Sequence, residues 1–276
     1  MSGFLDEMAE ASHARVRAAK ARVAEAALAE RAQRTPAPPP LRLAAEGFDL
    51  IAELKLRSPA AGALGARAAS VAAHVTAYAR AGAAAVSVLT EPARFDGSLT
   101  HLTEAARALA PHQVPAMRKD FLVDPYQVLE ARAAGAGGVL LILRMLSPET
   151  LGALIECARS HELFVLLEAF DAHDLERMRE VIAADAGRSA LLAGVNCRDL
   201  ATLEVVPERL LELAPLLPVG VPHVAESGVE SAADARRLAA AGYGLILVGS
   251  ALMRDQDPAA LARALLEAGR TVRRTS

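Results

Sequence analysis

Eight short apolar runs recur along the chain at nearly even spacing, and this repetition restricts the possible folds more than any other feature of the sequence. The runs are DLIAEL, AAVSVL, VPAMR, GVLLIL, FVLLEA, LLAGVN, PHVAES and LILVGS. Their C-terminal ends lie roughly 28 residues apart, about the length of one strand and one helix. Because parallel strands covered on both faces are apolar almost throughout, the pattern predicts eight parallel strands that alternate with helices.

In a chain of 276 residues, eight strand and helix units favour a closed (β/α)8 TIM barrel over an open doubly wound sheet. The open sheet stays an alternative, although no G-x-G-x-x-G follows the first run, as a dinucleotide-binding sheet would require. Residues 4–33 are rich in Ala, Glu and Arg and predict a leading helix that the prolines of RTPAPPP bring to an end. We therefore expect an N-terminal helical extension and Pro-rich link over 1–45 and a single catalytic barrel domain over 46–276.

Composition excludes several classes of protein. The net charge is −3, whereas a nucleic-acid partner would require a concentrated cationic surface. No apolar run approaches the ~20 residues needed to cross a bilayer, and the N-terminus lacks the order of a signal peptide. Two cysteines, Cys157 and Cys197, suit a reducing compartment, and the seven histidines show no metal-binding spacing. We expect a cytoplasmic protein that binds no nucleic acid, membrane or metal.

Polar residues stand at the C-terminal ends of the predicted strands, where the chemistry of a TIM barrel is located. Side chains alternate across a strand, so Glu53 and Lys55 point to one face. The same rule pairs Asn196 with Arg198 and turns Cys197 away. We predict that one pocket collects Glu53, Lys55, Lys119, Glu168, Asn196 and Arg198. The alternative is a ring of ordinary salt bridges, but the equivalent positions of all these residues favour a pocket.

The segment RKDFLVDP places three charged residues in a row at the end of the third strand. Strand alternation directs Lys119 into the barrel and leaves Arg118 and Asp120 as ion partners that hold the strand end. Asp124 is the expected N-cap of the next helix, with Pro125 at its first position. Lysines beside glutamates in a partly desolvated pocket should have displaced pKa values, as proton transfer near neutral pH requires.

Glycine-centred turns follow the seventh and eighth runs, in ESGV and VGSAL. Small residues let backbone N–H groups approach an anion, and a helix N-terminus adds a favourable dipole. TIM barrels commonly bind phosphate between these two strands. The turns therefore predict a small anionic substrate that carries a phosphate.

Several segments, in order from residue 51 to residue 258, resemble the indole-3-glycerol phosphate synthase family. They are IAELKLRSPAAG, SVLTEPARFDGSL, RKDFLVDPYQVLEARAAGA, GVNCRDLATLEV, HVAESGV and LVGSALMRDQDP. The resemblance implies a carbon–carbon carboxy-lyase of tryptophan biosynthesis that needs no cofactor. Its substrate would be 1-(2-carboxyphenylamino)-1-deoxyribulose 5-phosphate, which cyclises and loses CO₂ and water.

The same resemblance implies roles for individual residues. Lys119 would be the general acid that protonates the substrate carbonyl. Glu168 and Lys55 would share the proton transfers of the dehydration, with Glu53 paired to Lys55. The ligands of the anthranilate carboxylate and hydroxyls would be Ser58, Asn196 and Arg198, those of the aromatic ring Phe95 and Phe121, and those of the phosphate Ser227, Gly228, Gly249 and Ser250. The leading helix would lie across the barrel mouth, and we expect a monomer or weak homodimer.

The sequence departs from the usual family pattern at three places. Ala60 and Ala61 stand where Ser-Lys is usual, Ala169-Phe170 where Val-His is usual, and Cys197 where Asn is usual. These departures keep a substrate-shifted or non-catalytic paralogue as an alternative. A second alternative is a barrel like phosphoribosylanthranilate isomerase, which would require a cysteine near the first strand end. The retained lysines and glutamates favour the synthase.

Overall fold

Eight parallel strands form the centre of the protein, each within one of the apolar runs. The computed structural model describes residues 3–45, 47–55, 57–58, 62–63, 70–199 and 202–275, with the backbone alone at 57–58, 62–63 and 273–275. The strands are β1 (Asp49–Leu54), β2 (Ala85–Leu89), β3 (Ala116–Lys119), β4 (Gly138–Ile142), β5 (Phe164–Ala169), β6 (Leu191–Asn196), β7 (His223–Glu226) and β8 (Leu245–Val248). Each strand pairs with the next in the chain, and β1 pairs with β8, so the barrel is closed. The predicted TIM barrel is confirmed, and the open-sheet alternative is wrong.

Helices connect the strands and cover the outside of the barrel. They are α1 (Phe4–Arg22), α2 (Glu25–Arg34), α3 (Val71–Arg80), α4 (Pro92–Phe95), α5 (Leu99–Leu109), α6 (Pro125–Ala133), α7 (Pro148–Ser160), α8 (Ala172–Asp185), α9 (Glu208–Leu213), α10 (Ala232–Ala240), α11 (Ser250–Arg254) and α12 (Pro258–Thr275). Short 3₁₀ turns lie at Ala110–His112, Leu143–Met145 and Ala214–Leu216, and a two-stranded hairpin at Arg57–Ser58 and Gly62–Ala63. In the described part of the chain, none of the helices has the length and apolar character needed to cross a membrane.

Local sequence signals set where helices begin. The Asp124 carboxylate accepts a hydrogen bond from the N–H of Tyr126 at 2.8 Å, and Pro125 is the first residue of α6. The predicted N-cap is therefore confirmed. Serine caps of the same kind begin α3, α5, α7 and α10 at Ser70, Ser98, Ser147 and Ser231.

The leading segment contains two helices, so the prediction of one helix over residues 4–33 is wrong in this respect. The break lies at Val23, whose backbone is extended, with φ −133° and ψ 118°. The Tyr126 hydroxyl of α6 lies within hydrogen-bond distance of the carbonyls of Ala19 and Val23, at 3.2 and 3.0 Å, and can donate to one of them at a time. The carbonyl of Ala19 already accepts from the N–H of Val23, so the hydroxyl provides a partner for the carbonyl of Val23, beyond the last turn of α1. Contact with the barrel, absent from any local pattern, thus accompanies the end of α1.

The barrel interior changes character along its axis. Its lower part is apolar and buried, with Ile51, Ala85, Met117, Leu140, Phe164, Leu166, Leu192, Val224 and Leu245 in one cluster. In TIM barrels, alternate strands contribute the four side chains of each interior layer. At the C-terminal ends of the odd-numbered strands that layer consists of Glu53, Lys119, Glu168 and Glu226, all at most slightly exposed. The fold therefore places four ionisable groups where a barrel usually packs aliphatic side chains.

Candidate active site

A cavity of about 970 Å³ lies above this charged layer, at the C-terminal end of the barrel. Its lining includes the predicted residues Glu53, Lys55, Lys119, Glu168, Asn196, Arg198, Phe95, Phe121, Ser227, Gly228, Gly249 and Ser250. The side chain of Ser58 lies outside the described residues. The structure thus brings the other predicted side chains and turns to one cavity, and their roles stay predictions.

Lys119 lies at the floor of the cavity between two carboxyl groups. Its Nζ is 3.5 Å from Oε1 of Glu168 and 3.9 Å from Oε2 of Glu226. Burial by itself would lower the pKa of Lys119, but the charges of Glu168 and Glu226 outweigh it, and the pKa is raised. Lys119 therefore carries a proton at neutral pH, at the floor of the cavity.

Glu226 is the site residue that the sequence reasoning missed. It is 1% exposed, and among the described residues no donor forms a hydrogen bond with either carboxyl oxygen. Burial, followed by the charge of Glu168, raises its pKa well above the usual value. A protonated carboxyl group carries no charge, so Glu226 requires fewer hydrogen-bond donors than a buried carboxylate would. Alternation from Val224 along β7 was the signal that could have identified Glu226, which directly precedes the predicted phosphate ligand Ser227.

Glu53 and Lys55 form a second buried ion pair. Nζ of Lys55 lies 3.1 Å from Oε1 of Glu53, and the two side chains are 11% and 6% exposed. Burial would raise the pKa of Glu53, but the charges of Lys55 and Lys119 outweigh it and lower the pKa. Glu53 is therefore a carboxylate at neutral pH, and its position over the barrel interior depends on these two lysines.

Two glycines make room for the buried carboxyl groups. A Cβ atom at Gly194 on β6 would collide with Oε1 of Glu226, and a Cβ at Gly249 would collide with Oε1 of Glu53. Neither glycine has a positive φ angle, so neither lies in the left-handed region that favours glycine. Glycine is therefore required at both positions because any larger residue would take the space of a buried carboxyl group.

Asn196 and Arg198 orient groups at the other side of the cavity. Nδ2 of Asn196 donates to Oε1 of Glu168 at 2.9 Å, and its Oδ1 accepts from the N–H of Arg198 at 3.0 Å. The guanidinium of Arg198 donates to the carbonyl of Leu203 at 2.7 Å. Cys197 is fully buried and packs behind the strand, as alternation predicts. The amide of Asn196 thus fixes the Glu168 carboxyl group that contacts Lys119.

Aromatic side chains form one wall of the cavity. The ring centroids of Phe95 and Phe121 are 6.3 Å apart. Phe4 of α1 meets Phe121 edge to face at 5.9 Å, and both Phe4 and Leu5 line the cavity. The leading helix therefore contributes directly to the site, and the wall offers flat apolar surface to an aromatic ring.

The turns after β7 and β8 lie at the opposite wall. Ser227 and Gly228 both have a φ of 70°, so the chain turns sharply there through two left-handed residues. Such a conformation is strained for serine, and strain of this kind clusters at functional sites. Lys55, Arg198 and Arg254 also line the cavity. Small turn residues with cations nearby are suited to an anionic group.

Comparison with known proteins identifies the family. The family model for indole-3-glycerol phosphate synthase matches residues 5–265. The chain is 46% identical over 246 residues to the indole-3-glycerol phosphate synthase of Parafrankia sp. (strain EAN1pec), covering 88% of each chain. The chain belongs to the indole-3-glycerol phosphate synthase family. A further member, from Mycolicibacterium vanbaalenii, is 42% identical over 267 residues, which cover 96% of this chain and 94% of that protein.

Membership of the indole-3-glycerol phosphate synthase family confirms the resemblance seen in the sequence and assigns the chain to tryptophan biosynthesis. A solved structure of 3-hexulose-6-phosphate synthase from Salmonella typhimurium is similar with a TM-score of 0.62 at 16% identity, covering 82% of this chain and 100% of that one. At that identity the likeness concerns the fold alone.

Two of the three departures from the usual family pattern can be placed. The ring of Phe170 lines the cavity and lies under the guanidinium of Arg144. The Cζ atom of Arg144 is 4.7 Å from the centroid of the ring. Asp171 and Asp174 form ion pairs with the same guanidinium. Cys197 packs behind β6, away from the cavity. Ala60 and Ala61 lie outside the described residues.

A buried network connects α1 to the strand end that carries Lys119. The carboxylate of Asp120 accepts from Arg15 at 2.8 and 3.0 Å, from Arg118 at 3.1 Å and from Thr90 at 2.7 Å. Burial would raise the pKa of Asp120, but Arg118 and Arg15 outweigh it and lower the pKa to about 2. The predicted ion pair of Arg118 with Asp120 is confirmed, and Arg15 of the leading helix completes it.

Proposed function

We propose that the chain converts 1-(2-carboxyphenylamino)-1-deoxyribulose 5-phosphate into indole-3-glycerol phosphate, CO₂ and water, as a carbon–carbon carboxy-lyase. The observation that carries the proposal is the position of Lys119, a protonated lysine between the carboxyl groups of Glu168 and Glu226 at the floor of the cavity. Ring closure onto a carbonyl needs a proton donor at this kind of site, and dehydration needs an acid and a base.

In the first step, the aryl carbon attacks the substrate carbonyl and forms the new carbon–carbon bond. Lys119 donates the proton that the carbonyl oxygen takes up, so that the oxygen becomes a hydroxyl group. Because Glu168 and Glu226 raise the pKa of Lys119, the lysine is fully protonated before the reaction. A positioned general acid contributes about 10²–10⁴-fold to the rate.

In the second step, CO₂ leaves from the attacking carbon. The electrons of the broken bond return to the ring and its nitrogen, which the first step left electron-poor, so the substrate supplies its own electron sink. The reaction as proposed therefore requires no cofactor. Arg198 and Asn196, with Ser58, would orient the carboxylate before it leaves.

In the third step, the new hydroxyl group leaves as water and the pyrrole ring becomes aromatic. Glu168 and Lys55 share the proton transfers, and Glu53 is paired to Lys55 before the substrate binds. Glu226 adds a carboxyl group whose raised pKa lets it hold a proton beside Lys119. The charged layer thus contains both proton donors and acceptors within reach of one reacting centre.

The remaining lining residues would hold the two ends of the substrate. Phe95 and Phe121 would face the anthranilate ring, and the phosphate would lie at the turns formed by Ser227, Gly228, Gly249 and Ser250. Small residues and the nearby Lys55 support this placement. The cavity of about 970 Å³ is in the usual size range for small-molecule sites.

We also propose that the extension over 1–45 and the barrel over 46–276 act as one catalytic unit, a monomer or weak homodimer of the cytoplasm. Contacts of Phe4 with Phe121 and of Arg15 with Asp120 support a single unit. The small anionic substrate accounts for the cations at the cavity, while the net charge of the whole chain stays at −3.

Incubation of the pure protein with the carboxyphenylamino substrate, followed by indole fluorescence and CO₂ release, tests the proposal. We expect one molecule of indole-3-glycerol phosphate and one of CO₂ for each substrate molecule consumed, without added cofactor. A parallel incubation with phosphoribosylanthranilate should show no isomerisation. Absence of product at high enzyme concentration would overturn the proposal and favour a substrate-shifted or non-catalytic paralogue.

A further inference from the structure

Ser87 is a buried residue that lies beside Glu53 of the charged layer, on the neighbouring strand. It lies on β2, is fully buried, and its Oγ forms no hydrogen bond with any described residue. Ala85, two residues earlier, belongs to the interior cluster of the barrel, so strand alternation also directs Ser87 inward. Buried polar groups almost always form hydrogen bonds, so the Ser87 hydroxyl is an unusual feature beside the candidate active site.

Glu53 lies between Ser87 and Gly249 at one level of the barrel. The strand register pairs Glu53 with Ser87 across β1 and β2. On its other side β1 pairs with β8, and Gly249 is the next position after the pair Ala52–Val248. The Glu53 carboxylate occupies the Gly249 side, because a Cβ there would collide with its Oε1, and Lys55 is its partner at 3.1 Å.

A phosphate at Gly249 and Ser250 would meet the Glu53 carboxylate on the same side of the barrel. Two anions at this distance repel each other strongly in a partly desolvated site. The phosphate would also attract Lys55, which lines the same cavity. A buried carboxylate that loses its lysine requires another donor, because an unpaired buried charge is costly.

We propose that Ser87 provides a second docking position for the Glu53 carboxylate. When phosphate binds, Lys55 turns toward it, and the carboxylate rotates from the Gly249 side to the β2 side, where it accepts a hydrogen bond from Oγ of Ser87. This inference rests on the phosphate site proposed above. Ser87 is then a positioning residue, because it acts on the reaction through Glu53.

The rotation has a consequence for the chemistry. Ser87 pairs with Met117 on β3, and Lys119 is the next residue of β3 on the same face. Docked at Ser87, the Glu53 carboxylate therefore approaches Lys119. Phosphate binding at one wall of the cavity would thus both release Lys55 from Glu53 and bring a carboxylate toward the general acid.

Two substitutions at Ser87 and inorganic phosphate as the probe test the proposal. Ser87→Ala removes the hydroxyl, and Ser87→Thr keeps it. We expect the Tm of free Ser87→Ala to equal or exceed that of the wild type, because the lost hydroxyl has no partner in the described part of the free protein. Its dissociation constant for phosphate, measured by calorimetry, should rise about 10-fold, the effect of one hydrogen bond to a charged group. Ser87→Thr should bind phosphate nearly as the wild type does.

Ser160→Ala is the matched control, because it removes an exposed hydroxyl far from the cavity, and it should leave phosphate binding unchanged. A crystal structure with phosphate should show a Glu53 oxygen at about 3 Å from Oγ of Ser87. The role of Ser87 would be overturned if Ser87→Ala and the wild type bound phosphate equally well. It would also be overturned if Glu53 remained paired with Lys55 in the phosphate-bound crystal structure, and in both cases the proposed function would stand. Failure of the wild type to bind phosphate would overturn the proposed phosphate site and this inference with it.

Discussion

The ammonium group of Lys119 lies 3.5 Å from the carboxyl group of Glu168, across the barrel interior between β3 and β5, which are not neighbours. Both strands pair with β4, and the curvature of the barrel turns their inward side chains toward each other. Glu226 on β7 approaches the same ammonium group at 3.9 Å. Side chains from three strands therefore surround the ammonium group of Lys119.

Replacement of Lys119 by alanine should reduce turnover at least about 100-fold, because the reaction loses its general acid. The secondary structure should persist, since the barrel core below the charged layer is unchanged. Indole fluorescence measures turnover, and circular dichroism measures folding. Lys20→Ala, which removes a lysine on α1 outside the cavity, is the control and should keep most of the activity. Near-wild-type turnover of the Lys119 variant would contradict the assignment.

Glu226→Gln should lower turnover by about 10²-fold, because an amide cannot exchange the proton. The same substitution should increase the free energy of unfolding, by an amount that depends on pH. The folded pKa of Glu226 is raised above its ordinary value of 4.5, so this group costs stability as the pH rises from 4.5 through the folded pKa. The variant should therefore unfold at higher urea concentration than the wild type near neutral pH.

The stability difference between Glu226→Gln and the wild type should disappear at pH values below 4.5, where Glu226 is protonated in both folded and unfolded chains. Glu180→Gln on the exposed face of α8 is the matched control and should show no such dependence. A Glu226 variant with unchanged turnover would remove this residue from the proposed site.

Gly194→Ala should impair both folding and catalysis, because the new methyl group would take the space of the Glu226 carboxyl group. Overpacking of this kind costs about 1–3 kcal/mol in the free energy of unfolding. The matched control is Gly152→Ala in α7, where a Cβ meets no described atom within 4 Å. That change should stabilise the protein by about 0.5–1 kcal/mol through helix propensity. Similar denaturation midpoints for the two variants would refute the packing argument.

Asp120→Asn should destabilise the protein, since Arg15 and Arg118 would lose their common carboxylate. Removing one partner of such a buried pair costs about 3 kcal/mol. The folded pKa of Asp120 is about 2, below its ordinary value of 3.8, so its contribution is complete above pH 3.8 and is lost as the pH falls toward 2. The difference between wild type and variant should therefore narrow in acid.

Urea denaturation at a series of pH values measures this difference. Arg34→Met removes a solvent-exposed pair with Glu30 on α2 and should change stability little at any pH. Turnover of Asp120→Asn should also fall, because Asp120 lies between Lys119 and Phe121 and its ion pairs fix this part of the chain in place. A destabilisation that stays the same in acid would contradict the role of the carboxylate charge.

Local patterns predicted much of the barrel and part of the site. Strand alternation directed Lys119 inward and Arg118 and Asp120 outward, and a short polar residue before proline identified Asp124 as a cap. These features depend on neighbours within a few residues, so a single sequence contains them. The same patterns missed the break at Val23, because contacts with Tyr126 of a distant helix accompany it.

By itself, the sequence determined the eight strand and helix units, the faces of the strands and the family motifs, because the two periodicities and the motifs are properties of nearby residues. Only the tertiary structure decided which charges meet. It placed Glu226 beside Lys119, joined Arg15 to Asp120, and left the Ser87 hydroxyl, beside Glu53, with no partner among the described residues. These relationships depend on the curvature and stagger of the barrel and on where α1 docks. Both set distances between residues far apart in the chain, and those distances determine the pKa values of the buried groups.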